Sequence, residues 1–379
     1  MPAASRILPS RHTKPYSLLT LIALSGEFPA DQAGRLGSPS YFENIVKSLK
    51  KDRLLRTYYK NGLRGYRLTV KAKELLLADQ PERFAFFLTG SSETNHPKSE
   101  VTRRLRLHRI AESMTTMMGA GVKVFRDEKP DVFFPEGRPP PKAPAVMEPA
   151  FYTSREVKEV GTELMKIRGA RSTGMLLTKQ QAFVVYNTGD ALMKWEYKAE
   201  MRIKALMKTI LCRQRLPEQY GPEAVQGLLL GKGIEMAGQF LAEQRAGSRT
   251  YFVFDGNYDH FFYVPNDHTG EVMLKLLCSE ALAADLERIL LQNLWPRQPG
   301  SVIENDATTG DGEPVLFAYL LDLPRILRFD NALSLQNRHG VIICFDFQLD
   351  ALKQFCSQNV SFEIISLKKY ERRVLHQEK

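Results

Sequence analysis

The chain has 379 residues, 43% hydrophobic and 25% charged, an ordinary globular composition that excludes a fibrous or disordered protein and predicts two or three domains. No run approaches the ~20 apolar residues of a membrane span, and Cys212, Cys278, Cys344 and Cys356 form no CxxC pair and match no zinc framework, so a reducing, cytoplasmic compartment is expected. The net charge of +10 is uneven: Met1 to Lys73 hold fourteen Lys or Arg against four acids, while the rest of the chain is balanced, which predicts a polyanion-binding module at the N-terminus.

That module is predicted over residues 14–79, after a basic, Pro-containing tail. The stretch from Leu18 to Leu24, preceded by Arg6, Arg11 and Lys14, has the outline of a leader peptide but fits a first helix over Tyr16 to Ser25, ended by Gly26. Pro29 opens a second short helix with Ala30, Ala33 and Leu36 on one face, stopped by Gly37. Ser38 and Pro39 supply a cap and a first-turn proline for a third helix, Pro39 to Lys51. Its Phe42, Ile45, Val46 and Leu49 recur at the spacing of a core stripe. The opposite side carries Ser40, Asn44, Lys47 and Lys51: short hydrogen-bonding groups that suit base edges, then cations that suit phosphates. Leu54 to Tyr59 alternates like a strand, Lys60 to Gly65 contains a hairpin Asn-Gly, Tyr66 to Thr69 returns, and Val70 to Leu77 closes the module as a helix.

Helix, helix, helix, hairpin and helix in this order, with the stretch RGYRLTVKAKELL, resemble the winged helix-turn-helix superfamily over about 65 residues. The resemblance implies that the third helix enters the major groove and that the hairpin wing, lined by Arg56, Lys60, Arg64 and Arg67, touches the minor groove or backbone. The implied DNA-contacting set is therefore Ser40, Asn44, Lys47, Lys51, Arg56, Lys60, Arg64 and Arg67. A winged helix used only for protein contacts is the alternative reading.

A polar linker, Thr89 to Ser99, leads into residues 100–134, a basic helix over Glu100 to Met118 followed by a β-like run at Lys129 to Phe134. Arg103, Arg104, Arg106 and Arg109 make that helix a second DNA-backbone contact, a dimerisation helix or a docking helix with a solvated basic face, and His108 reads as a surface histidine. After a Pro-rich linker, Pro135 to Pro149, residues 150–379 read as mixed α/β. Strands are predicted at Gly174 to Thr178, Ala182 to Asn187, Thr250 to Asp255, His260 to Pro265, Val315 to Leu321, Gly340 to Phe347 and Ser361 to Leu367. Helices are predicted at Ser154 to Ile167, Lys194 to Cys212, Gly270 to Leu294, Pro324 to Leu333 and Gln348 to Phe355. The βαβαβ rhythm near the C-terminus argues for a partly parallel sheet and an α+β class overall.

Asp131, with Glu156 and Lys158 beginning twenty-five positions later, forms the skeleton of a PD-(D/E)xK nuclease motif, in which two carboxylates hold Mg²⁺ and the lysine supports the attacking water. Against it, Thr153 to Glu156 reads as a capping box opening a helix, where Glu156 and Lys158 diverge. A second Glu-x-Lys, Glu196 to Lys198, reads as structural. Asp259-His260, Asp267-His268 and Glu271 could hold a metal but read as turn and helix-entry residues. Asp350 follows a buried strand, as phosphatase aspartates do, but Gln348 replaces the second acid. Arg168, Arg171 and Ser172 lie just before a strand and could hold a phosphate or the next domain, or simply be solvated.

The basic module, the linker helix and an α/β region with a decayed nuclease skeleton together resemble the replication-relaxation type proteins of plasmids and conjugative elements. That resemblance implies binding near replication or transfer origins, with a restriction-endonuclease-like fold behind the DNA-binding module. The reading is a sequence-specific binder of double-stranded DNA, in homodimeric form, with no cofactor. The alternatives are an Mg²⁺-dependent nuclease and a ligand-responsive transcription regulator.

Overall fold

The computed structural model describes residues 8–89, 99–135, 137, 145–161, 171–245, 258–297 and 300–375. The strand expected at Thr250 to Asp255, Arg168 and the second half of the helix expected at Ser154 to Ile167 lie outside the described residues. Two compact units are present, one running to Gly161 and including Thr173–Met175, the other comprising Arg171, Ser172 and the chain from Leu176.

The first unit is built around α1 (Lys14–Ser25), whose side chains from Leu18 to Ser25 are all buried. Gly26 ends it in the left-handed region, φ 88°, and donates its N–H to the carbonyl of Ile22. β1 (Phe28–Pro29) follows. The second helix expected from the sequence is a 3₁₀ turn, Ala30–Leu36; Gly34 in its middle weakens α propensity by about 1 kcal/mol. α2 (Pro39–Lys51) buries Phe42, Ile45, Val46 and Leu49, the stripe its spacing predicts, and the side chain of Ser38 caps it at Tyr41 N. β2 (Leu55–Lys60) and β3 (Leu63–Leu68) form a hairpin turned by Asn61 and Gly62, both at positive φ. With β1 they make a three-stranded antiparallel sheet ordered β1-β3-β2.

α3 (Val70–Asp79) is capped by Thr69. α4 (Pro81–Leu88), which the sequence reading left unassigned, begins on a proline directly after it and buries Phe84, Phe87 and Leu88. α5 (Val101–Gly119) buries Leu107, Ile110, Ala111, Met114 and Met117. The expected β-like run at Lys129 to Phe134 forms no strand. Pro130 has no N–H to give a ladder, and Val132, Phe133 and Phe134 are buried as packing side chains instead. β4 (Ala150–Thr153) leads into one helical turn, α6 (Ser154–Val157), through the expected capping box of Thr153 and Glu156.

In the second unit, β6 (Ala182–Gly189), β7 (Val225–Gly231) and β8 (Phe261–Pro265) run parallel, after β5 (Ser172–Leu177), whose residues divide between the units. α7 (Tyr197–Thr209) continues into a π-helical stretch, Ile210–Arg215. β7 and the following α8 (Glu235–Arg245) had no counterpart in the sequence reading. The single helix expected over Gly270 to Leu294 is two, α9 (His268–Cys278) and α10 (Glu280–Leu290), because Ser279 caps the second by accepting from Leu282 N. A five-stranded sheet completes the unit in the order β13-β12-β11-β10-β9, from β9 (Trp295–Pro296), β10 (Ala307–Thr308), β11 (Pro314–Phe317), β12 (Gly340–Phe345) and β13 (Val360–Ile365). α11 (Leu323–Gln336) and α12 (Leu349–Phe355) lie between β11, β12 and β13, which are parallel as the βαβαβ rhythm predicts. The class is α+β with mixed sheets. Among the described residues no helix is long and apolar enough to cross a membrane.

Candidate nucleic-acid interface

With its apolar stripe turned inward, α2 exposes Ser40, Asn44, Lys47 and Lys51, along with Tyr41 and Lys50. Glu43 is the acid on this face, and its pair with Lys47 is long, 3.7 Å, and solvated. Such a pair is worth little, so the cationic end of the helix stays available. Lys50 lies over the ring of Tyr66, 5.9 Å from its centroid. Arg53, just past the helix, is exposed at φ 58°.

The hairpin register divides the expected wing residues. Arg56 stands opposite Arg67, Tyr58 opposite Gly65, Tyr59 opposite Arg64 and Lys60 opposite Leu63. Opposed residues share a face and faces alternate along a strand, so Arg56, Lys60 and Arg67 lie on one face and Tyr59 and Arg64 on the other. The second face also carries Tyr66, on which Phe42 of α2 packs with centroids 5.9 Å apart. Arg56, Lys60 and Arg64 are exposed, and Tyr59 is 69% exposed.

Arg67 corrects the sequence expectation. It is 4% exposed and turned into the module, not outward on a wing. The cause is Glu27, a fully buried carboxylate in the turn after α1. Arg67 reaches its Oε2 through Nε at 2.7 Å and Nη2 at 2.6 Å. Arg104 of α5 reaches Oε1 through Nη2 at 2.5 Å, and His108 Nε2 lies 2.9 Å from the same oxygen. Burial alone would raise the Glu27 carboxyl, but hydrogen bonds from His108, Arg104 and Arg67 outweigh it and hold it down at about 2. Arg104 also donates to the carbonyls of Tyr58, Lys60 and Leu63, and so grips both hairpin strands. The ring of Tyr58 lies 3.8 Å from the guanidinium carbon of Arg67 and 4.6 Å from that of Arg104. A Cβ at Gly65 would overlap the Glu27 carboxylate, which is why glycine occupies that hairpin position.

Two expectations about α5 change accordingly. Arg104 is fully buried, and His108 is not a surface histidine but 4% exposed. Both point inward because Glu27 demands counter-charge and donors. Arg103 stays exposed, 2.9 Å from Glu100, and Arg106 donates to Ser154 Oγ at 3.3 Å. Sequence reasoning missed Glu27 altogether; its one signal was an acid standing alone between two apolar stretches of a basic module.

The nuclease candidates separate. Asp131 and Glu156 line one small cavity of about 10 Å³, together with Arg126, Lys129 and Glu159. Lys158 does not line it and sits exposed on the next turn. Glu156 Oε2 accepts from Thr153 N at 2.8 Å, and its Oε1 pairs with the buried Lys129 Nζ at 2.8 Å. Burial pushes the Lys129 ammonium down, opposed by Glu156. Arg126 holds Glu159 at 2.7 Å and lies 3.9 Å from Asp131. Each carboxylate is thus met by a cation of the chain, and a cavity this size holds about one water. Mg²⁺ binding at Asp131 and Glu156 would have to displace those cations.

The remaining chemistry-bearing residues are dispersed. Asp267 caps α9 through Gly270 N, His268 pairs with Glu371 at 2.7 Å, and His260 Nδ1 lies 2.6 Å from Asp322. Among the described residues no group of three His, Cys, Asp or Glu is placed to hold a metal ion. Gln348, buried, accepts from Phe345 N and donates to the carbonyl of Tyr319, so it locks the end of β12. Glu196 precedes α7, and Lys198 lies in its first turn. No family model matches the chain, and no significant match was found among curated proteins or solved structures.

Proposed function

We propose that the chain is a sequence-specific double-stranded DNA-binding protein that uses residues 14–79 as a winged helix-turn-helix. The observation that carries this reading is the outward face of α2, where Ser40 and Asn44 precede Lys47 and Lys51 on an exposed stripe. Short polar groups are presented to base edges and cations to phosphates. Arg56, Lys60 and Arg64 extend the cationic surface along the hairpin, where phosphate contacts position the protein without reading sequence. Arg67 is withdrawn from the contact set, and Arg53 and Tyr59 join it. A two-fold DNA site bound by a homodimer is the assembly proposed. The setting on a mobile element rests on the resemblance in organisation alone, and the proposed cytoplasmic compartment on the cysteine pattern. The nuclease alternative through Asp131, Glu156 and Lys158 gains no support from the geometry.

The test is binding of the full-length protein to labelled duplex from its own locus over a salt series, with and without Mg²⁺. Tight binding whose logarithm falls linearly with log salt, leaving the DNA intact, supports the proposal. Absence of binding at low salt refutes it, and strand scission that appears only with Mg²⁺ replaces it with the nuclease reading.

A further inference from the structure

Outside the N-terminal module cations and acids balance over the chain as a whole, but not locally. From Lys194 to Arg215 the second unit holds seven Lys or Arg and two acids. Glu200, one of the acids, is 1% exposed and turned into the core. Glu196, the other, lies ahead of the first turn of α7 and makes no ion pair among the described residues. α7 buries Ile203 and Met207, and its π-helical continuation buries Ile210 and Leu211. The opposite side carries Lys198, Arg202, Ala205 and Thr209 at i, i+4, i+7 and i+11, and Arg213 continues the row one turn further. Lys198, Arg202, Ala205 and Arg213 are exposed and Thr209 is half-buried. None of Lys198, Arg202 and Arg213 meets an acid among the described residues.

Helix stability does not account for this arrangement. Lys198 and Arg202, and again Lys204 and Lys208, are like charges one turn apart, a spacing that disfavours a helix. Lys198 also stands in the first turn of α7, where the macrodipole favours an acid. Burial and the neighbouring Lys208 push the Lys204 ammonium down, and it rests 4.9 Å from the ring centroid of Tyr258. Lys208 and Arg213 do suit the C-terminal end of the helix, so the cations that local structure leaves unexplained are Lys198 and Arg202.

We infer that this face of α7 is a second nucleic-acid surface, which holds the backbone of a duplex without reading its sequence. The row from Lys198 to Arg213 extends about 20 Å at 1.5 Å per residue, a length over which a duplex presents about twelve phosphate charges. Ala205 and Thr209 leave no bulk between the cations, and Thr209 turns its hydroxyl back to the carbonyl of Ala205. The row therefore offers charge to phosphates and little to base edges. A single strand requires aromatic platforms, and the exposed ring of Tyr197 precedes the row and is turned about 100° from it. A helix that lies on a membrane inserts its apolar side, whereas that of α7 is buried in the core. The surface belongs wholly to the second unit and does not depend on the duplex-binding reading of the first.

The experiment uses the full chain carrying Lys47→Gln, Lys51→Gln, Arg56→Gln, Lys60→Gln and Arg64→Gln, which clear the phosphate-contacting cations proposed for the first unit. Lys198→Gln, Arg202→Gln and Arg213→Gln are then added on α7. The probes are a short labelled duplex of arbitrary sequence, one of its strands alone, and vesicles of phosphatidylcholine and phosphatidylserine, each over a salt series. The chain altered only in the first unit should still bind the duplex, with a slope of log affinity on log salt of about −3. The three changes on α7 should remove that slope and weaken binding about a hundredfold at about 0.1 M salt. The charge-keeping set Lys198→Arg, Arg202→Lys and Arg213→Lys should retain both. All three residues are exposed, and glutamine suits a helix as well as lysine does, so these variants keep the fold. If the first-unit changes have no effect on the duplex while the α7 changes abolish its binding, the reading of α2 fails and this inference stands. Three results overturn it: loss of all duplex binding on altering the first unit alone, duplex binding that the α7 changes leave unmoved, or α7-dependent binding that is tighter to the single strand or the vesicles than to the duplex.

Discussion

Replacing Glu27 by glutamine keeps the shape of the side chain and removes its charge, leaving Arg67 and Arg104 buried beside a neutral amide. Two routes give the size of the effect. Breaking a buried ion pair from one side costs about 3–5 kcal/mol. Independently, a carboxyl held at about 2 instead of its ordinary 4.5 stabilises the fold at neutral pH, by about 3 kcal/mol at 1.36 kcal/mol per unit. The sign follows from the depressed value. The stabilisation is fully present above 4.5 and is lost as pH falls through about 2, where the folded carboxylate takes up its proton. Both tryptophans lie in the second unit, so the assay is hydrogen exchange across Leu55–Leu68, the hairpin that Arg104 grips. Glu27→Gln should raise exchange there about a hundredfold at neutral pH, and the acid-induced loss of protection expected of the wild type should shrink in the variant. The double variant Glu27→Gln, Arg104→Met should cost less than the two single changes summed. Unchanged hairpin protection in Glu27→Gln would refute the view that this carboxylate holds the hairpin in place.

Lys47→Gln and Lys51→Gln should each reduce the salt slope of duplex binding by about one and weaken all sequences alike, whereas Asn44→Ala should mainly alter sequence preference; affinity measured on cognate and scrambled duplexes over a salt series checks both. Gly65→Ala should cost about 1–3 kcal/mol because its methyl meets the Glu27 carboxylate, and the same change should become nearly neutral in a Glu27→Ala background, as urea unfolding followed by circular dichroism would read. Burial pushes the carboxyl of Glu200, which is 1% exposed, up to about 7. The folded state therefore holds a proton that the unfolded chain releases from 4.5, so stability should fall as pH rises through neutrality. Glu200→Gln should abolish that fall and stabilise the alkaline protein by up to about 3 kcal/mol, read from urea unfolding followed by tryptophan emission.

The legible parts of the fold were those written in local pattern. The spacing of Phe42, Ile45, Val46 and Leu49, with Ser38 and Pro39 before them, marks α2 to its observed bounds, and Asn61-Gly62 marks the hairpin turn because a tight turn of this kind needs positive φ at both positions. β7 escaped notice because LLL between glycines is a short apolar run without periodicity, and such a run does not distinguish a buried strand from a helix. The third-helix face was legible because it needs only helical geometry. Arg67 was not, because whether a strand arginine faces water or a carboxylate depends on which acid the tertiary fold brings beneath it. Glu27 lies forty positions from Arg67 and eighty-one from His108, and no local signal spans that distance.

Burying Glu27 with Arg67 removes one charge of each sign, so the excess of basic residues in the N-terminal module stays on its surface. The buried pair and the exposed cations therefore do separate jobs with the same residue type. One consequence concerns where that module ends. Arg104 and His108 belong to α5, yet they supply two of the three side chains that satisfy Glu27, and Arg104 alone grips carbonyls on both hairpin strands. A fragment cut after Asp79 would keep every residue proposed to touch DNA and lose the charge and the donors that hold the hairpin carrying Arg56, Lys60 and Arg64. α5 is thus the inner wall of the N-terminal module, and its arginines divide by position: Arg104 is spent inward, while Arg103, one residue earlier, is left to solvent. The stiffness of the proposed DNA-binding surface comes from a helix that contributes none of its contacts.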